Sequence, residues 1–349
     1  MLGVMSTLAR TLTSEWFSAH IHVSEIRRET DYQETQEKNT CVFLFPELHT
    51  RDGGYLAQMR FKSLACEVAA EHPEIGIDKI LCATYQRKHS NTRWLDDLLN
   101  TPANDDRKVY CIHYGPHINK LLKKLTGRKV IYFCHSTGWN IHLGPEVSVV
   151  SVSRHCLAYW AKKSPGSAHY LLPNLIEERF SLPQQRAKPE TSGRPIDVLV
   201  LKRKMSKYLL KHLVPALSKD WNVQVVDEWD ERIDERMKRA KLFLYDSSSY
   251  WKVHKATEGF GLPPLEAMAC GCTVFSSLND GLADFLDPLI NCQQLLAGQL
   301  ESDVGRISTA LASWSETQKL PAVVEQFRAP ALKVRLELIL RDIQHVYAK

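Results

Sequence analysis

CVFLFPELHTRDGGYLAQMRFKSLACEVAAE, residues 41–71, decides how the rest of the chain reads. Its first part, CVFLFPEL, is a continuous apolar run that stops at the turn HTRDGGY, and LAQMRFKSLACEVAAE then carries a helical pattern. An apolar run without period-two polarity is a strand covered on both faces, and the helix behind it supplies one of the covers. Strand, glycine loop and helix in that order predict a parallel α/β unit. The alternation returns at DKILCATY (78–85), at KVYCIHYG (108–115) with helix INKLLKKL, at KVIYFCHSTG (129–138), and at VSVVSVS (147–153) with helix RHCLAYWAKK.

HYLLPNLIEERF closes this half, and SLPQQRAKPETSGRP (181–195), rich in proline and polar residues, predicts an interdomain linker. Beyond it the alternation restarts with IDVLVL (196–201) and helix KYLLKHLVPALSK, then WNVQVVD, helix ERIDERMKRA, strand KLFLYDS and strand CTVFSS. The expected organisation is an N-terminal extension over 1–40, a doubly wound α/β domain over 41–180 and a second over 196–325. A C-terminal helix over 326–349 follows, with apolar positions Leu332, Val334, Leu336, Leu338, Ile339, Leu340 and Ile343, and it could cross back to the first domain.

The 349 residues exceed one ordinary core, and 44% apolar content is that of a globular protein, so two domains with a cleft between them are expected. No run approaches the ~18 apolar residues of a membrane span, and no secretory leader pattern opens the chain, so a cytoplasmic protein is expected. Nine cysteines without a C-x-x-C pair argue against a disulfide framework and for reduced, buried thiols. Cys111, His113, His117, Cys134 and His135 lie at strand ends but lack zinc spacing, and no metal is expected. A net charge of +5 permits an anionic substrate without demanding nucleic acid. Lys120, Lys123, Lys124 and Arg128 gather on or beside one short helix. They read either as a docking face for an acidic acceptor or for anionic lipid at the inner face of the membrane, or as a solvated helix face.

The chemistry concentrates in EGFGLPPLEAMACGCT, residues 258–273. Gly259 and Gly261 allow tight turns that expose amide donors, Pro263 and Pro264 suit a helix opening, and Gly271 suits its end. A helix N-terminus fed by such a loop favours a phosphate without any metal, through unpaired N–H groups and the helix dipole. Glu258 and Glu266 stand on either side of that site and can each accept hydrogen bonds from hydroxyls. Alternatively, Glu266 is a dipole-stabilising glutamate on a core-packing helix.

This segment resembles family 4 of the retaining glycosyltransferases, whose hallmark is E-x7-E in the form EGFGLPxLEAMAxG. The resemblance implies the GT-B architecture, two Rossmann-like domains facing across a cleft, and a UDP- or GDP-linked sugar donor with no metal. Carried over by position, it gives Glu258 the donor-sugar hydroxyls and Glu266 the ribose, with the phosphates on the amides at Phe260, Gly261 and Leu262. It also implies a basic pair after the first strand of the C-terminal domain, here Lys202 or Arg203 followed by Lys207, whose cations would stabilise the leaving diphosphate. Gly53-Gly54 matches the family's glycine loop. His135 matches the family histidine beside the sugar, with a core or turn histidine as the competing reading. The acceptor, a glycan, a glycolipid or a small molecule, would bind the N-terminal domain. The stretch Asp246–Thr257 is longer and more polar than the family's usual link before the first glutamate, and base-contacting positions are expected there and near Leu201. The alternatives are a nucleotide-sugar epimerase of the same architecture and a non-catalytic protein that only binds nucleotide sugar.

Overall fold

A computed structural model describes residues 39–48, 53–90, 92–100, 105–113, 115–138, 141–182, 193–315 and 320–347. The extension expected over 1–40 and the linker expected over 181–195 therefore lie almost wholly outside the described residues. The apolar runs build two parallel sheets. In the first, β1 (Thr40–Phe45), β2 (Lys79–Thr84), β3 (Arg93–Trp94), β4 (Lys108–Ile112), β5 (Lys129–Cys134), β6 (Val147–Ser151) and β7 (His169–Leu171) take the order β3-β2-β1-β4-β5-β6-β7. The second contains β8 (Ile196–Leu201), β9 (Val223–Val226), β10 (Ala240–Tyr245), β11 (Thr273–Ser276) and β12 (Gln293–Gln294) in the order β12-β11-β10-β8-β9. All pairings are parallel. The two-residue edge strands β3 and β12 leave little unpaired ladder for another chain to extend.

Order reverses beside β1 in the first sheet and beside β8 in the second, and a crevice opens at the carboxyl ends of strands at such a switch point. Among the described residues the covering helices are α1 (Gly53–Glu71), α2 (Leu95–Leu99), α3 (Ile118–Lys124), α4 (Arg154–Lys163), α5 (Val214–Leu217), α6 (Ile233–Lys238), α7 (Ser248–His254), α8 (Leu262–Ala269), α9 (Leu300–Ala312) and α10 (Ala329–Tyr347). Helix α1 buries Ala57, Phe61, Leu64, Ala65 and Val68, one stripe at helical spacing. Ahead of α5, Leu209–Leu213 forms a π turn just before Pro215, whose missing N–H cannot close an ordinary α turn.

The C-terminal helix returns to the N-terminal domain. Leu336, Ile339, Leu340 and Ile343 of α10 line one small apolar cavity together with Cys41, Phe61 and Ile77, and Lys333 pairs with Glu67 and Glu71 of α1 at 2.8 and 2.6 Å. Tyr347 Oη donates to Val130 O at 2.6 Å, which ties the last turn to β5. Val334 and Leu338, read in sequence with the apolar set, are 59% and 63% exposed, because the 3.6-residue period turns them away from the buried stripe. The two crossings between domains run side by side. Ile176 N donates to Phe327 O at 2.9 Å, and the buried Arg328 guanidinium donates to Glu177 O at 3.0 Å and Phe180 O at 2.8 Å. Seven cysteines are buried as free thiols, whereas Cys66 is exposed and Cys82 half-buried.

Candidate active site in the interdomain cleft

The carboxyl ends of both sheets face one cavity of about 1010 Å³. Pro46, Glu47 and His113 line it from the first sheet, and Leu201, Arg203 and Tyr245 from the second. The E-x7-E segment forms its floor. Gly261 adopts φ +84° as the residue before α8, the left-handed conformation that favours glycine, and a Cβ there would also press on Leu282. Pro263 and Pro264 occupy the first turn of α8 and carry no N–H, so the donors this terminus offers are the amides before them, at Gly261 and Leu262.

At Gly259 the two domains touch by backbone. A Cβ on it would lie 2.6 Å from the His135 carbonyl carbon and 3.2 Å from Ser136 N, with the His135 oxygen nearer still. Gly281 presses on the other side of the same segment, its Cβ position 2.6 Å from the Gly259 carbonyl carbon. Two hydrogen bonds reinforce this contact, Gly281 N donating to Glu258 O at 2.9 Å and Glu258 N to Asp280 Oδ2 at 3.1 Å. Across the interface Thr137 and Thr257 hydroxyls meet at 2.7 Å, and Arg154 N at the start of α4 donates to Asp284 Oδ2 at 2.6 Å.

Both glutamates line the cavity and are buried, Glu258 at 7% and Glu266 at 8% exposure. Glu258 Oε2 accepts from Tyr245 Oη at 2.7 Å and from Trp251 Nε1 at 2.8 Å. Glu266 meets Arg60, which reaches over from α1 of the other domain with Nη1 at 3.4 Å. Arg60 also donates to Glu177 Oε1 at 2.9 Å and to Leu175 O at 3.3 Å, and Glu177 accepts from Arg179 at 2.6 Å. Burial raises the Glu266 carboxyl above the usual carboxylate range, with the Arg60 charge opposing, whereas Arg60 and Arg179 together hold Glu177 below that range against its burial.

The other sequence candidates divide. His135 lines the cavity opposite Gly259, half-buried. Gly53 and Gly54 also line it, but as the first turn of α1 rather than as a loop, so what they present is a helix N-terminus. Of the basic turn after β8, Arg203 and Lys204 line the cavity; Lys202 is paired with Asp227 on the rim, and the exposed Lys207 is outside the lining. In the stretch Asp246–Thr257, Tyr250, Trp251, His254 and Ala256 line the cavity from α7 and its end.

Sequence reading did not single out Arg60, Tyr245 or Trp251, and no local spacing marks them. It weighed His113 only as a zinc candidate. That ring is 5% exposed, stacks 4.6 Å from Phe133 and 5.9 Å from His135, and makes no hydrogen bond through either nitrogen. Burial first, and then the nearby His135, depress its pKa, so it is a neutral imidazole. On the basic helix, Lys124 is neutralised by Asp96 at 2.5 Å, which leaves Lys120 and Lys123 as its exposed cations. Among the described residues no helix is long and apolar enough to cross a membrane.

Residues 193–326, from just before β8 to the second crossing, match the family model of the glycosyl transferases group 1. No curated protein matches the chain by sequence. Solved structures with a similar fold include the Anabaena protein Alr3699/HepE in complex with UDP and glucose, at TM-score 0.60 and 13% identity over 87% of this chain and 99% of that one. Sucrose-phosphate synthase from Thermosynechococcus elongatus gives TM-score 0.60 and 14% identity over 88% and 100%. The lipopolysaccharide outer core galactosyltransferase WaaB gives 0.52 and 15% over 86% and 99%. The chain thus has the GT-B fold, two Rossmann-like domains across a cleft, with a segment of the glycosyl transferases group 1 type forming the C-terminal domain.

Proposed function

We propose that the protein is a retaining, metal-independent glycosyltransferase that moves a hexose-type sugar from a UDP- or GDP-linked donor to a hydroxyl of a glycan, a glycolipid or a small molecule. One observation carries the reading. Two buried glutamates flank the N-terminus of α8 on the wall of a cleft large enough for both substrates, opposite His135. In this reading Glu258 accepts a hydroxyl of the transferred sugar, and Glu266 accepts the ribose. The diphosphate rests on the amides of Phe260, Gly261 and Leu262, with Arg203 and Lys204 as cations lining the same cavity. Fixed dipoles and cations in a water-poor cleft stabilise the charge that develops as the glycosidic bond breaks. The acceptor approaches from the N-terminal domain on the face the diphosphate leaves, and the departing phosphate oxygen takes its proton, so no protein nucleophile is assigned. The closed contact at Gly259 excludes water from the sugar.

The test is a thermal-shift panel of nucleotides and nucleotide sugars with EDTA present, on the wild type and on Glu266→Ala. A ligand at about 100 times its Kd stabilises the folded state by about 2.7 kcal/mol. A rise with one nucleotide family that the variant loses supports the donor site and names the base. No rise with any of them overturns it. Turnover of the selected donor, with and without acceptor, then separates transfer from epimerisation and from binding alone.

A further inference from the structure

Helix α7 occupies the stretch whose length sets this chain apart from the pattern it resembles, and none of its residues is buried. Val253 is turned to solvent. Its tryptophan is therefore not a core residue, yet the indole N–H is committed to the Glu258 carboxylate at 2.8 Å. Tyr245, at the end of β10, donates to the same oxygen at 2.7 Å. Among the described residues no donor reaches Oε1 of Glu258.

Hydrogen bonds and a neighbouring cation hold the frame around Trp251. Ser248 donates to Asp246 Oδ1 through its hydroxyl at 2.6 Å and its amide at 3.2 Å, which sets the start of α7. Ala256 N returns to Trp251 O at 3.2 Å, and Thr257 is held by Thr137 across the interface. The Lys204 ammonium lies 4.5 Å from the centre of the indole ring, so the basic turn after β8 and the Glu258 carboxylate share one aromatic platform.

We infer that Trp251, together with Tyr245, is a positioning residue for Glu258. The last torsion of a glutamate is broad and roughly two-fold, so the backbone does not fix the plane of the carboxylate. Two donors on one oxygen do fix it, and they leave Oε1 as the single acceptor presented to a donor-sugar hydroxyl. The carboxylate then meets the sugar in one orientation, without having to be ordered during the reaction. This inference rests on the donor site proposed above.

Trp251→Phe keeps the ring and removes the N–H, and Tyr245→Phe removes the other donor. Each variant is assayed for hydrolysis of UDP-glucose, UDP-galactose and GDP-mannose, and for binding of UDP and GDP, which carry no sugar. With the donor that the wild type uses, each single variant is expected to lower kcat about tenfold, the scale of one hydrogen bond to a charged group. KM and the dissociation constant of the nucleoside diphosphate should change less than about twofold. Wild-type kcat in both variants overturns the inference, and so does loss of nucleoside diphosphate binding in step with kcat, which marks a general loss of structure. A wild type that binds none of these nucleotides overturns the donor site itself.

Discussion

Gly259→Ala tests whether the backbone contact between the domains sets the reacting geometry. The new methyl carbon would sit 2.6 Å from the His135 carbonyl carbon and 3.2 Å from Ser136 N, inside the envelope of the His135 oxygen. Ordinary carbon–carbon contact begins near ~3.5 Å, so the two backbones have to separate by at least about 1 Å. No flexible side chain is there to yield, and Gly281 closes the opposite side. The backbone at Gly259 is outside the left-handed region, so alanine suffers no conformational penalty of its own and the effect is purely steric. A displacement of 1 Å between reacting groups costs on the order of 10²-fold in rate. Overpacking of this kind costs about 1–3 kcal/mol of stability. The expectation is a loss of about 10²-fold in donor turnover, while UDP or GDP, which the proposed site would hold mainly through the C-terminal domain, keeps its affinity within about threefold by calorimetry. Gly305→Ala serves as the control. It lies within α9 with open space around it and is expected to stabilise the fold by about 0.5–1 kcal/mol with turnover unchanged. Wild-type turnover in Gly259→Ala would refute the argument that this contact positions the site.

Two further expectations concern stability. Burial lifts the Glu266 carboxyl above its ordinary range, with Arg60 only partly opposing, so the folded chain holds that proton to higher pH than the unfolded chain does. Stability therefore falls as pH rises through that interval and the deficit stays constant above it. Glu266→Gln is expected to melt at least as high as the wild type near about pH 8, with the difference shrinking toward about pH 4, while nucleotide stabilisation is lost; a difference that widens toward low pH would contradict this. Tyr347→Phe removes the 2.6 Å bond to Val130 O and leaves that carbonyl without this donor. It is expected to lower the unfolding free energy by about 1 kcal/mol in urea titrations, and no change would show that this hydrogen bond does not help to hold α10.

Where contiguous residues make their own environment, the chain is legible without a structure. The apolar runs that became β1, β4, β5, β6, β8 and β10 are buried on both faces, and that alone requires covering helices and parallel pairing. The segment from Glu258 to Gly271 is legible for the same reason. Its glycines, prolines and helix start create a terminus out of neighbouring residues, while the close approaches to Gly259, Gly261 and Gly271 come from elsewhere in the chain.

The basic turn after β8 was legible as a cation source but not in detail. Which of Lys202, Arg203, Lys204 and Lys207 faces the cleft depends on the turn, and Lys204 adopts φ +66° there. Gly53-Gly54 read as a loop from the turn HTRDGGY and the resemblance, yet helix α1 already starts at Gly53. Residues 246–257 gave only their length and polarity, and no pattern in them announces that α7 turns Trp251 toward Glu258.

The sequence by itself determined the layer architecture and the chemical character of the helix terminus, because both follow from local periodicity and local backbone chemistry. The tertiary structure decided the rest: that Arg60 reaches Glu266 from 206 positions away, that Tyr245 and Trp251 converge on one oxygen of Glu258, and that the His135 carbonyl lies against Gly259. The first and last of these are set by how two separately wound sheets dock, through surfaces assembled from distant parts of the chain; the convergence on Glu258 is set within the second domain by where β10 ends and how α7 is turned, and no local spacing encodes either.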